Sequence, residues 1–114
     1  MKDLSFFQRT RLKRRARETS GRWSSHLALP AGMEATSEEL QKSFKVLRGV
    51  FEGAFLDGAT ESTPMEDGVT HLLSRVHETL PPNESEEMIR KADGNLAGAY
   101  RVGYKAGITA GLSL

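Results

Sequence analysis

Ala99, Gly103, Gly107 and Gly111 stand at intervals of four near the end of this chain, beside a parallel row of Tyr100, Tyr104, Ile108 and Leu112. That interval places a row along one side of a helix. Each helical glycine costs about 1 kcal/mol relative to alanine, so a segment this rich in glycine does not hold a helix in water by itself. It packs very closely on something, or it frays. Small residues at every fourth position are what allow two helix backbones to approach. Two partners are open: a second copy of the chain, giving a homodimer through the last helix, or another helix of the same chain. Gly49 and Gly53 supply a matching stripe, and the internal pairing is slightly favoured. Tyr100 and Tyr104 border the seam, and their hydroxyls need partners where they are buried.

The remaining pattern is also helical. Thr36-Ser37-Glu38-Glu39 has the form of a capping box. Leu40, Phe44, Leu47, Phe51, Ala54 and Phe55 then recur at spacings of three and four, predicting a helix over about 37–57 that stops at Gly58. Thr63-Pro64-Met65-Glu66 opens a second helix, about 64–80, with Val69, Leu72, Leu73, Val76 and Leu80 on its buried face and Pro81-Pro82 ending it. Asn83-Glu84-Ser85-Glu86 caps a third, about 84–111, whose inward positions begin Met88, Ile89, Ala92 and Leu96. Asp93-Gly94-Asn95 carries turn chemistry and marks a candidate break in it. Alternating apolar and polar runs are scarce, so no sheet is expected. The predicted fold class is all-α: a small bundle of three core helices preceded by a basic N-terminal arm.

That arm is defined by charge. Residues 1–22 hold eight bases against two acids, a net of +6, while the other 92 residues hold eight bases against thirteen acids, a net of −5. The total of +1 conceals a basic arm on an acidic body. Wound as a helix from about Asp3 to Glu18, the arm would spread Arg9, Arg11, Lys13, Arg14, Arg15 and Arg17 around nearly its whole circumference, leaving a weak apolar strip of Leu4, Phe7 and Leu12. Such a segment buries a face poorly and suits a detachable limb that orders on its target. Ser20-Gly21 through Pro30-Ala31-Gly32 reads as irregular connection, with Trp23, Leu27 and Leu29 as docking anchors. The expected organisation is an arm over 1–22, a connection over 23–35 and one helical domain over 36–114.

Function follows from the arm. Arg9, Arg11, Lys13, Arg14, Arg15, Arg17, Arg22 and the flanking Trp23 are the candidate binding residues, suited to nucleic acid or to an acidic protein surface. The leading expectation is largely sequence-independent nucleic-acid binding, with Phe6, Phe7 and Trp23 available to stack on bases. The alternative is a protein-directed module, such as an inhibitor or accessory factor of phage or mobile-element type, that covers an acidic surface of its partner. A helix-turn-helix reading is poor, because the turn would be Leu80-Pro81-Pro82-Asn83 and the following helix starts with Glu84, Glu86 and Glu87, where phosphates would lie.

An enzyme is not expected. There is no cysteine, and His26, His71 and His77 have no ligand-spaced partners, so neither a thiol nucleophile nor a metal or other cofactor is foreseen. Asp57, Glu61, Glu66 and Asp67 lack the alternating ligands of a calcium loop. Asp67, His71 and Arg75 share a stripe that reads as a solvated face. The chain offers neither a signal-peptide core nor about 20 consecutive apolar residues for a membrane span, and a cytoplasmic location is expected.

Overall fold

The computed structural model describes residues 4–26, 38–79 and 85–113, and among them the chain is all-α, with no strand. Four helices follow in order: α1 (Phe6–Ser25), α2 (Glu38–Thr60), α3 (Met65–Thr79) and α4 (Glu86–Gly111). None of these is long and apolar enough to cross a membrane. The expected caps at Thr36-Ser37 and Asn83-Glu84, the Pro81-Pro82 stop, the anchors Leu27 and Leu29, and Leu80 lie outside the described residues, as do the side chains of Leu40 and Met88.

The glycine row of α4 packs against α2 of the same chain. A Cβ on Gly111 would lie 2.7 Å from the Ala59 carbonyl oxygen, and on Gly103 and Gly107 it would strike the carbonyls of Phe51 and Phe55. From the other side, Gly58 presses against the Tyr104 carbonyl. Contacts that advance by four on both helices mean that α2 and α4 run parallel. Gly49 and Gly53 are not the complementary stripe: they are exposed, with open space where a Cβ would point. The facing surface is instead the backbone beneath Phe51, Phe55, Gly58 and Ala59. Because α2 fills the row, it is closed to a second copy of the chain.

Successive helices run antiparallel, so α2 and α4 are the diagonal pair of an up-down-up-down arrangement. In an ordinary bundle side chains hold the diagonal apart; here glycine lets it collapse. The outer helices α1 and α3 are consequently pushed to opposite sides and do not touch. The core splits in two. On one side Leu12 and Ala16 of α1 pack with Phe51, Phe55, Ala59 and Ala110. On the other, Val69 of α3 packs with Ala54, Ala97, Tyr100 and Tyr104. The result is a flat molecule of 44 × 29 × 18 Å.

Three local expectations are corrected. Gly58 does not end α2; the helix continues to Thr60 because this glycine serves the close approach to α4. Termination comes at Glu61, whose φ of 55° reverses the chain, with the Ser62 amide donating to the Asp57 carbonyl at 3.3 Å. Asp93-Gly94-Asn95 does not break α4, which is continuous. Asp93 faces His77 of α3, its carboxylate 2.9 Å from Nε2. The basic arm, finally, is neither separate from the core nor followed by irregular chain at residue 23. Its helix is opened by a reciprocal box, the Gln8 amide donating to the Ser5 hydroxyl and the Ser5 amide to the Gln8 side chain, and it runs through Gly21 to Ser25.

The collapsed diagonal makes opposite demands of its glycines. Gly107→Ala should lower stability by about 2 kcal/mol through overpacking against backbone that has nowhere to move. Gly49→Ala and Gly53→Ala should each raise it by about 1 kcal/mol through helix propensity. Urea melts of the three variants check both signs, and a neutral Gly107→Ala would mean that the seam is not tight.

Candidate nucleic-acid interface

α1 is docked on the body by a stripe that hydrophobicity alone conceals. Leu12, Ala16 and Ser20 are buried, Thr19 and Trp23 are half-buried, and at about 100° per residue all five fall within one sector of the helix. Two of the five are small and two carry hydroxyls. The Ser20 hydroxyl donates to the Glu52 carboxylate of α2 at 2.7 Å, so its burial is compensated. Trp23 stacks on Phe51 with ring centroids 4.9 Å apart. These contacts offset the cost of Gly21 and carry the helix on to Ser25. Trp23 therefore lies at the anchoring side of α1, away from its outward face.

Every base of the sequence motif is displayed. Arg9, Arg11, Lys13, Arg14, Arg15, Arg17 and Arg22 are all exposed, and none forms an ion pair among the described residues. Arg15 donates to the Ser113 hydroxyl beyond the end of α4 at 2.9 Å. By helical rotation, Arg14 lies opposite the docking stripe, Lys13 and Arg17 lie toward one flank, and Arg11, Arg15 and Arg22 toward the other. Arg9 stands with Lys13 at the rim of a recess of about 210 Å³ floored by Leu4, Leu12 and Leu56. Phe6 continues the flank of Lys13 and Arg17, and Phe7 the outward face of Arg14. The two rings are 77% and 74% exposed, in an edge-to-face pair with centroids 5.8 Å apart.

The opposite side of the molecule carries acids, and those with resolved contacts are engaged. Glu66 accepts two hydrogen bonds from the Arg101 guanidinium, at 2.9 and 3.1 Å, and this partner holds its carboxyl below the usual range. Asp57 accepts from the Tyr100 hydroxyl at 2.7 Å, and Tyr104 donates to the Thr63 carbonyl at 2.6 Å, pinning the α2–α3 loop. Among the described residues no group of three or more acids and histidines is placed to hold a metal ion. A cleft of about 500 Å³ opens between α2 and α3, walled by Val46, Val50, Leu72 and Val76, with Tyr100 at its base. Burial raises the Tyr100 phenol, and the hydrogen bond to Asp57 and that residue's charge raise it further. Such a group stays neutral near physiological pH and serves structure better than proton transfer.

No protein-family model, no curated protein and no solved structure matches the chain.

Two outcomes follow from this geometry. Trp23 is the single tryptophan and reports the docking of α1. Its fluorescence and the far-ultraviolet circular dichroism should change in one coincident urea transition, whereas a detachable arm would release Trp23 first. The second concerns alkaline pH. An unfolded tyrosine ionises near 10 while Tyr100 resists, so its contribution is full below about pH 10 and is lost as pH rises further. Tyr100→Phe should start less stable than the parent and lose less stability between neutral pH and about pH 11.

Proposed function

We propose that this chain is a small non-enzymatic protein that binds nucleic acid through the exposed bases of α1, largely without regard to sequence. The observation that carries the reading is the charge of one helix: seven bases against one acid, Glu18, every base exposed and none ion-paired among the described residues. Unneutralised guanidinium groups concentrated in this way are the electrostatic footprint of a phosphate-binding surface. Docking supports the reading as well. A helix held by Leu12, Ala16, Ser20 and Trp23 presents its charges without the ordering cost that a disordered tail would incur on binding.

Bases on the outward face and one flank can meet a duplex together, four in number whichever flank is taken. Contacts of this kind position a protein on phosphate and do not specify sequence. The far-side helices α3 and α4 hold six acids against five bases, so the excess of positive charge is confined to α1. A reducing compartment such as the cytoplasm suits a chain without cysteine.

Salt dependence tests this directly. Duplex affinity should fall with salt at a log-log slope of about 3 to 4. The triple variant Lys13→Gln/Arg14→Gln/Arg17→Gln should reduce that slope by about 3, equally for unrelated sequences. These side chains are exposed, so the fold should be unaffected. Absence of binding to any nucleic acid at low salt would sink the reading, and retention of an acidic protein at that salt would replace it with a protein-directed one.

A further inference from the structure

Phe6 and Phe7 present an oddity of placement. Both rings stand in solvent at the start of α1, whereas full burial of a phenylalanine is worth roughly 1.5–3 kcal/mol. No apolar neighbour on α1 extends them into a larger patch. Lys13 and Arg17 follow Phe6 along one flank of α1, Arg14 follows Phe7 along the outward face, and Thr10 lies between the rings and these bases. The first turn carries no acid to repel a phosphate. From Phe6 to Arg17 that flank spans about 17 Å, at about 1.5 Å per residue.

We propose that Phe6 and Phe7 are base-stacking platforms, so that α1 selects single-stranded over duplex nucleic acid. This rests on the nucleic-acid reading above and names its substrate class. The physical reason is access to the base face. In a duplex each base is sandwiched by its neighbours, and a side chain reaches a face only by unstacking a step, at a cost of a few kcal/mol. An unpaired base offers its face without that cost, and stacking on an aromatic ring is worth about 1–3 kcal/mol per base. Bases of the protein strung beyond an aromatic pair match a strand whose phosphates run along the helix while its leading nucleotides stack at the helix start. Two rings in edge-to-face contact at 5.8 Å offer faces in different directions, one for each of two splayed bases. Trp23 has no part in this, because its ring is already stacked on Phe51.

The experiment uses the full chain with a labelled mixed-sequence single strand and its duplex, followed by fluorescence anisotropy at low and moderate salt. The single strand should bind at least about tenfold more tightly. Phe6→Ala/Phe7→Ala should weaken single-strand binding by about 10- to 100-fold, leaving duplex affinity and the salt slope unchanged. Phe6→Leu/Phe7→Leu keeps apolar area but removes the rings, and should fail as the alanine pair does; Phe6→Trp/Phe7→Trp should restore or exceed the parent. Equal binding of strand and duplex, or a leucine pair that binds like the parent, overturns the proposal and leaves the underlying reading intact. Binding of neither ligand by the parent overturns both. Loss of binding to phosphatidylserine vesicles on alanine substitution, with single-strand binding unaltered, would overturn it by assigning the rings to a lipid surface.

Discussion

Direct contact between the backbones of α2 and α4 is the constraint on which the rest of the molecule depends. A glycine on α4 meets a carbonyl on α2 at three successive turns, and Gly58 returns the contact from the other side. Bringing a diagonal pair together removes the central space a four-helix bundle normally fills with side chains. What remains are two shallow grooves along the flanks of the pair, each lined by aromatics: Phe51 and Phe55 on one side, Tyr100 and Tyr104 on the other. One outer helix lies in each. The flatness of the molecule and the division of its core both follow.

The two grooves are covered by helices of different chemistry, and this concentrates the unbalanced charge of the described residues on one side. α3 meets the tyrosine side, where hydroxyl groups find Asp57 and the Thr63 carbonyl and the ion pair Arg101–Glu66 lies at the margin. Polar satisfaction there is local and structural. α1 meets the phenylalanine side with only a narrow inward sector, and all seven of its bases are exposed outside the contact. A shallow groove suits such a helix, since Ala16 and Ser20 let it settle close without large apolar side chains, and the Ser20–Glu52 bond fixes its rotation. Because α1 does not contact α3, the engaged acids of the far side do not neutralise its charge. The unpaired surface thus results from the same collapse that divides the core.

Several features were legible before folding is considered. The helical class and most helix bounds follow from spacings of three and four. The seam row of α4 is visible as glycines that no isolated helix would tolerate, and the display of Arg9 through Arg22 follows from charge that no narrow core can take in. Other signals were present but weak. Ser5-Phe6-Phe7-Gln8 has capping-box form and announces the start of α1 near Phe6. Leu12, Ala16, Ser20 and Trp23 are spaced for one face, yet alanine and serine do not register as a buried stripe, so the helix reads as an unattached arm.

What the sequence by itself determined is that α2, α3 and α4 are helices, that the last of them needs a close neighbour, and that the N-terminal charge stays in solvent. Local energetics set these: propensity, spacing and the cost of burying a charge. Tertiary structure decided which backbone the glycines meet, which is α2 beneath Phe51 and Phe55 and not the Gly49–Gly53 flank. It decided that Gly58 continues a helix and that the basic segment is a working part of the core. The physical reason is that a small residue permits close approach without specifying the partner. Only the competition among faces for the available apolar surface resolves which one is taken.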